Sequence, residues 1–462
     1  MSGSLGTEWA EPGPIAASAR RARRRAPARP RALVVDVLAA LAGLGLGITL
    51  ALGISAESAG SLRAAGGVLT ALGRLTGLTA AYAMVVVVVL VARFGPLERA
   101  VGQDRLVRWH RRLGPWPLYL VTAHGVLITL GYAQAAHDGV LHQLGQLLWT
   151  YPGILAATVG FAALIAAGVT SYRLARRRMA HETWWAVHLY TYLALGLSFS
   201  HQVDTGASFV GHPLARAWWT ALWLGALALV VTCRIALPLI RSLRHRVTVE
   251  RIVPEGPDTY SVLLRGRRLD RLPVAGGHFL QWRFLRRGLW WQAHPYSLSA
   301  VPDRRRMRIT VKALGDHSAA LARLKPGTRV AIEGPYGAFT ADARRGDRVL
   351  LVGAGIGITP VRALLEELPH DADVVVILRA SRPADLVLRD EIAELVARRR
   401  GRLHELVGPR ERVRLDLARL APGLADRDVY VCGPDDFTAA VAASARAAGV
   451  APDRIHYESF AF

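Results

Sequence analysis

The sequence predicts a multidomain protein: a six-helix all-α transmembrane bundle, then an antiparallel β-barrel, then an α/β domain built on a parallel sheet. Three observations carry this expectation. Six apolar stretches, at about 32–55, 68–92, 113–134, 152–172, 184–203 and 217–240, are each about 20 residues or longer, enough to cross a bilayer as helices. After about residue 244 short alternating runs appear, such as 246–253, 259–264 and 307–311, separated by Gly, Pro and Asp turns; that is the pattern of half-buried antiparallel strands. From Asp347 onward, apolar strands at 349–352, 374–378 and 429–432 alternate with helical patterns, as in a parallel sheet with crossover helices. The expected division is 1–31 as a disordered basic tail, 32–243 as the helical domain, 244–341 as the barrel and 342–462 as the α/β domain.

Composition narrows the function classes. With 52% hydrophobic and 20% charged residues, the chain is not a disordered one. Its two cysteines exclude a disulfide framework and a four-thiolate iron–sulfur cluster within the chain. A net charge of +23, with 56 of 58 basic residues being Arg, raises nucleic-acid binding, but the positions point elsewhere. Seven arginines in the tail, six at 93–112, four at 173–178 and three at 241–246 alternate with three loops, about 56–66, 135–150 and 204–215, that hold only Arg63. By the positive-inside rule this 20-to-1 asymmetry puts both termini in the cytoplasm of a multi-pass plasma-membrane protein. The partner that explains the charge is the lipid bilayer, and no nucleic acid is expected; the oligomeric state stays open. The tail could pass for a signal-peptide n-region, but the apolar segment after it is about 24 residues long with no clear cleavage site, so it reads as the first membrane helix.

Four histidines lie inside the helices. His110 and His124 are 14 apart on the third helix, and His188 and His201 are 13 apart on the fifth. At ~1.5 Å per residue each pair spans about 20 Å. Imidazole at membrane depth is costly without a partner. Two helices, each with one His near each face, can clamp two stacked haems by bis-imidazole ligation. Both helices run outward, so the expected pairs are His110 with His188 on the inner side and His124 with His201 on the outer side. On an ideal helix the 14-residue step returns to within about 40° of the same face, while the 13-residue step lands about 140° away. The fifth helix is therefore expected to bend near Gly196, Ser198 and Ser200, or to present its imidazoles to different sides. Arg74, in the middle of the second helix, is a candidate counter-ion for a haem propionate, with snorkelling as the alternative. His137, His142 and His212 read as surface residues.

The soluble half carries six motifs in order. His294-Pro295-Tyr296-Ser297-Leu298-Ser299 closes a strand. Val311-Lys312-Ala313-Leu314-Gly315-Asp316-His317-Ser318 follows, then Glu333-Gly334-Pro335-Tyr336-Gly337. Val352-Gly353-Ala354-Gly355-Ile356-Gly357-Ile358-Thr359-Pro360 opens a helix straight after a strand. Val431-Cys432-Gly433-Pro434-Asp435 comes next, and the chain ends Glu458-Ser459-Phe460-Ala461-Phe462. In this order they resemble the ferredoxin–NADP reductase type of flavoprotein module. Joined to six helices with paired histidines, residues from about 32 to 462 resemble the NADPH oxidase/ferric reductase superfamily.

The resemblance implies FAD on the barrel and NADPH on the last domain. Tyr296 is expected against the isoalloxazine ring and Ser297 near flavin N5, with Pro295 completing the motif. His294 stands where much of the family has Arg, leaving less positive charge for the phosphates, which Lys312 would offset. Gly315 and Ser318 sit where a helix N-terminus would receive the FAD pyrophosphate. Gly353, Gly355 and Gly357 let backbone amides approach a dinucleotide pyrophosphate ahead of the helix at Thr359-Pro360. Cys432 and Gly433 end the strand where the family places the nicotinamide; a buried small apolar residue is the other reading of Cys432. Arg379, Ser381 and Arg382 follow the second strand of this domain and suit a 2′-phosphate, favouring NADPH with NADH still open. Glu458 and Phe460 match a terminal acidic–x–aromatic pattern in which the aromatic covers the flavin, with Phe462 as the alternative. Tyr296, Ser297, Cys432, Glu458 and Phe460 are thus expected around the reacting atoms.

The implied activity passes hydride from NADPH to FAD, then single electrons through the inner haem and the outer haem to an acceptor on the outer face. A ferric chelate, dioxygen and a periplasmic protein are the candidate acceptors. The alternative is a membrane haem carrier that reduces an extracytoplasmic partner protein.

Overall fold

The computed structural model describes residues 31–172, 179, 181–409, 411–413 and 415–459. The basic tail up to residue 30, the arginine loop at 173–178 and the terminal Phe460 and Phe462 lie outside the described residues. The chain forms two compact units that divide between Cys233 and Arg234.

The first unit is helical. Its principal helices are α1 (Arg31–Ser55), α2 (Gly67–Leu90), α3 (Gln103–Leu113), α4 (Pro115–Ala136), α5 (Val140–Thr150), α6 (Ile154–Ser171), α7 (His181–Thr205) and α8 (Pro213–Val231). Among the described residues, five segments are long and apolar enough to cross a membrane: Leu33–Ser55, Gly67–Leu90, Arg105–Ala136, Ile154–Ser171 and Pro213–His245. The fifth predicted span is present as α7, 25 residues long, but its Trp, Tyr, Ser, Gln and His side chains keep it less apolar than the others. The predicted count of six spans thus depends on the helix that carries His188 and His201.

The break in these helices falls elsewhere than expected. α7 runs from His181 to Thr205 without interruption. The third predicted helix is divided instead at Gly114, whose N–H still donates to the His110 carbonyl at 2.8 Å. Pro115 follows and has no N–H to continue the ladder. Small residues allow close helix approach, which is what packs helices in lipid. A Cβ at Gly73 of α2 would lie 2.9 Å from Ile128 of α4, and one at Gly160 of α6 would lie 2.9 Å from the Ala194 carbonyl of α7.

A π-turn, Thr232–Ala236, spans the division, and α9 (Leu237–His245) follows it in the second unit. α9 is amphipathic, with Arg241, Arg244 and His245 among its nine residues, and it packs on strand β6, where Ser242 Oγ accepts the Ile332 N–H at 3.0 Å. The strands that follow are β1 (Thr248–Gly256), β2 (Thr259–Arg265), β3 (Phe279–Phe284), β4 (His294–Ser297), β5 (Arg306–Lys312) and β6 (Val330–Tyr336), with the short helix α10 (Asp316–Leu321) after β5. The predicted barrel is not a closed one. The strands form two three-stranded antiparallel sheets, β1-β2-β5 and β4-β3-β6, whose edges meet only at single bridges, Thr248↔Arg329 and Leu298↔Ile309. The reason is local. β4 is four residues long and contains Pro295, which cannot donate to a ladder, and register shifts interrupt β1 at Val249/Arg251 and Pro254/Gly256. Leu280, Trp282, Phe284, Val262, Leu264 and Ile309 fill one shared core.

The remaining strands are β7 (Arg348–Ala354), β8 (Asp373–Ala380), β9 (Arg402–Val407), β10 (Asp428–Gly433) and β11 (Ile455–Ser459). They form a five-stranded sheet in the order β11-β10-β7-β8-β9, parallel throughout. Val349 and Leu351 face α11 (Ile358–Glu367) and α12 (Arg389–Ala397). Leu350 and Val352 face α13 (Asp435–Ala447). Burial on both faces explains why these strands are continuous apolar runs. Chain order reverses between β7 and β10, and ligands of open α/β sheets bind at the carboxyl ends of the strands beside such a switch point.

Candidate functional site

In the helical unit the four histidines meet in the two expected pairs. The rings of His110 and His188 are 6.1 Å apart between centroids, 76° between planes. Those of His124 and His201 are 6.4 Å apart and 37° between planes. Two imidazoles on opposite sides of one metal, with bonds of about 2 Å and about 1.1 Å from ring centre to nitrogen, place their centroids roughly 6 Å apart.

The second nitrogens orient the rings. Nδ1–H of His110 donates to the Val87 carbonyl at 3.2 Å, and Nδ1–H of His124 donates to the Gly73 carbonyl at 2.7 Å. Each bond leaves Nε2 as the free ligand nitrogen. His188 Nδ1 shares a 3.3 Å hydrogen bond with Ser171 Oγ, which also accepts from Trp184 Nε1 at 3.1 Å; the Trp184 ring stacks on His188 at 5.2 Å. His201 Nδ1 is buried with no hydrogen-bond partner among the described residues. Gly77 makes room for the outer pair, since a Cβ there would lie 2.6 Å from His124 Nδ1. The donor set, its orientation and this cradle fit two bis-imidazole haems.

Arg74 has a partner the sequence did not disclose. Its Nη1 lies 3.0 Å from Glu57 Oε1, so a carboxylate of the chain itself already meets the guanidinium expected for a propionate. A cleft of about 490 Å³ between Ala65, Gly66, Gln134, His137 and Asp138 joins two loops that both read as outer.

In the flavin region Ser297 Oγ is buried and has no partner among the described residues, as expected of a hydroxyl that meets a bound ring. Tyr296 OH lies 3.3 Å from His317 Nδ1, and burial pushes this phenol well up from its ordinary range. His294 stacks on His317 with centroids 3.6 Å apart. Burial first, and the His294 ring second, bring the His317 imidazole down to about 4, so it is neutral at pH 7. Its Nε2 is buried and unpartnered among the described residues. Pro295 lies opposite Gln281 in the β3–β4 register.

At the expected phosphate site several groups already have partners within the chain. Lys312, expected to offset the missing Arg at 294, lies 3.6 Å from Asp385 and is engaged there. The helix opened by Gly315 has only six residues. Ser318 Oγ already takes the Leu314 and Gly315 amides, both at 3.0 Å. The charge is found instead around a cleft of about 360 Å³ lined by Arg286, Arg287, Gln292, His317 and Arg323. The signal for it was the Arg-Arg-Gly turn between β3 and β4.

In the α/β region Gly355 takes a left-handed φ of 55°. Gly357 packs against β10, where a Cβ would lie 2.3 Å from the Cys432 carbonyl oxygen. Cys432 lies opposite Gly353 on one side and Glu458 on the other, so these residues and Gly433 meet at the carboxyl edge beside the switch point. The Cys432 thiol is fully buried, and burial pushes it well above the usual thiol range. Thr359 Oγ1 donates to the Ile356 carbonyl at 2.9 Å, and Pro360 stands in the first turn of α11.

The three residues expected at a 2′-phosphate separate. Arg379 donates to the Leu406 and Gly408 carbonyls at 3.0 and 2.7 Å, so it ties β8 to the end of β9. Ser381 and Arg382 are exposed. Arg382 holds Asp385 with two bonds of 2.9 and 3.1 Å.

Residues 76–199 match the family of ferric reductase like transmembrane components, and residues 351–443 match the oxidoreductase NAD-binding domain. An NADPH oxidoreductase of Mycobacterium tuberculosis is 33% identical over 184 residues, covering 37% of this chain and 48% of that protein. The ferredoxin reductase component of a 3-ketosteroid-9-alpha-monooxygenase from Mycolicibacterium smegmatis is 32% identical over 219 residues, covering 45% and 59%. The FAD/NAD-binding domain of a nitric oxide dioxygenase from Vibrio cholerae is 25% identical, with 47% of this chain and 99% of that one covered and a TM-score of 0.41. The chain spans about half the length of the curated relatives it matches.

The two matched regions and the five apolar segments together define a class: a multi-pass membrane chain that carries an oxidoreductase NAD-binding domain. Within that class, the chain joins a ferric reductase-like transmembrane domain to an FAD/NAD-binding module of the ferredoxin reductase type.

Proposed function

We propose that this protein is a flavocytochrome b that carries electrons from cytoplasmic NAD(P)H to a small-molecule acceptor, a ferric chelate or dioxygen, on the outer face of the plasma membrane. The observation that carries the proposal is the meeting of His110 with His188 and of His124 with His201 at centroid separations of 6.1 and 6.4 Å. When bound, NAD(P)H and FAD supply the hydride chemistry and two haems the one-electron chemistry.

The chain's own residues position these groups. His110 and His188 would hold the inner haem, and His124 and His201 the outer one. Tyr296 and Ser297 would orient the flavin, and Arg286, Arg287 and Arg323 would face its phosphates. The turn from Gly353 to Gly357 would admit the dinucleotide, Cys432 would present a neutral, apolar wall to the nicotinamide, and Glu458 would line the same edge. Ser381 and Arg382 would meet a 2′-phosphate, favouring NADPH. In this reading residues 32–243 form the haem domain, 244–341 the FAD domain and 342–462 the nucleotide domain, with both termini cytoplasmic.

The test is haem stoichiometry. A pyridine haemochrome assay should give about two haems per chain, and His124→Ala about one with FAD retained. A ratio near zero in haem-replete cells would sink the proposal. Direction is read in sealed right-side-out vesicles. Enclosed NADPH should reduce ferricyanide outside, and external NADPH should not; the reverse result would overturn the topology.

A further inference from the structure

Strand β6 is held at three successive residues by the chain segment that enters the second unit. Ser242 Oγ accepts the Ile332 N–H at 3.0 Å. Arg234 Nη1 lies 3.2 Å from Glu333 Oε1. Arg241 Nη1 donates to the Gly334 carbonyl. Arg234 sits within the π-turn Thr232–Ala236, a local distortion often found at functional positions. Arg241 is seven residues further, on the same face after about two turns.

The held strand leads to the expected flavin face. Tyr336 OH donates to Glu333 Oε1 at 2.7 Å, and the Tyr336 ring packs on Phe279 at 5.7 Å. Phe279 is opposite Tyr336 on one side and Ser297 on the other. A Cβ at Gly337 would lie 3.3 Å from Phe279 and 3.6 Å from Glu458 Oε1. The turn Gly334–Gly337 therefore connects the arginine pair to both Ser297 and Glu458.

We propose that Arg234, Arg241 and Glu333 are positioning residues that fix the Gly334–Gly337 turn, and with it the flavin face, against the helix leaving the membrane region. The inference rests on the function proposed above. A partly exposed ion pair such as Arg234–Glu333 contributes little to folding. Misplacement by about 1 Å can cost a transfer step ~100-fold. The arrangement thus matters to geometry far more than to stability.

The test uses the full chain with Glu333→Gln, Arg234→Met and the charge swap Arg234→Glu with Glu333→Arg. FAD affinity and NADPH-driven bleaching of the flavin should stay within about twofold of wild type, while haem reduction slows about tenfold or more in the single variants and recovers in the swap. Amide exchange of residues 332–337 should quicken about fivefold or more in the single variants, with the melting temperature little changed. Haem reduction at the wild-type rate, or a parallel fall of FAD affinity, bleaching and haem reduction, would overturn the inference. Wild-type protein without haem would refute the proposed function and leave amide exchange to judge the clamp: unchanged exchange refutes it, faster exchange supports it.

Discussion

Replacing Gly357 with Ala should cripple nicotinamide binding while leaving FAD in place. The new Cβ would lie 2.3 Å from the Cys432 carbonyl oxygen, 2.5 Å from its carbon and 2.8 Å from the Gly433 nitrogen. Ordinary contact needs about 3.4 Å, so something must move by about 1 Å. None of the three atoms belongs to a side chain that could swing away. They are backbone of β10, an interior strand flanked by β7 and β11, so the Gly-rich turn and the start of α11 must shift instead. Overpacking of this kind costs typically ~1–3 kcal/mol, which corresponds to a roughly 5- to 150-fold loss of affinity if it falls on the bound state. Gly355→Ala is the internal control. A Cβ there meets nothing within 4 Å, and only its φ of 55° is unfavourable, at about 1 kcal/mol or roughly fivefold. Steady-state KM for NADPH and NADH with ferricyanide, alongside FAD content per chain, separates the cases. KM values within twofold of wild type for Gly357→Ala, or a larger effect from Gly355→Ala, would refute the reasoning.

Gly77→Ala places a methyl 2.6 Å from His124 Nδ1, so the imidazole should be displaced and the haem ratio fall from about two to about one with FAD retained; an unchanged ratio would contradict the cradle. Arg382→Ala should raise KM for NADPH several-fold more than KM for NADH, because its guanidinium is exposed and shared only with Asp385 among the described residues; equal effects would remove this loop from the 2′-phosphate. Burial brings His278 and His317 down to about 4 from the ordinary 6.5. The unfolded chain therefore binds protons that the folded one refuses, and stability should be level above about pH 6.5 and fall as pH drops toward 4. The slope is at most about 1.4 kcal/mol per pH unit from His278 and less from the more exposed His317. Urea midpoints that do not differ between pH 7 and pH 5 would argue against it.

What could be read in advance was local. The histidine pairs followed from spacing and helix direction, because two helices running the same way leave only one matching of their four imidazoles. The 13-residue step drew attention to Gly196 in a helix that runs uninterrupted, while the break among these helices lies at Gly114, where Pro115 removes a donor between His110 and His124. Alternation identified β1, β2 and β5 of the flavin region but not β3 or β6; closure depends on edges meeting, and a four-residue strand containing Pro295 leaves the edges joined by single bridges.

Charges were the least legible feature, because their partners are distant in sequence. Arg74 and Glu57 are 17 residues apart, Arg379 and Gly408 are 29 apart, and Arg234 and Glu333 are 99 apart; no local pattern announces such contacts. The consequence is sharpest at His294. Judged by its motif alone, a flavin site with His in place of Arg is short of positive charge, and Lys312 is the nearest candidate to supply it. With Lys312 committed to Asp385, the compensation has to come from residues outside every recognised motif, and Arg286, Arg287 and Arg323 surround the cleft beside His317. The neutral His317 imidazole then fits an environment in which the loop arginines already carry the charge, and burying a fourth cation beside these three would be opposed by like-charge repulsion.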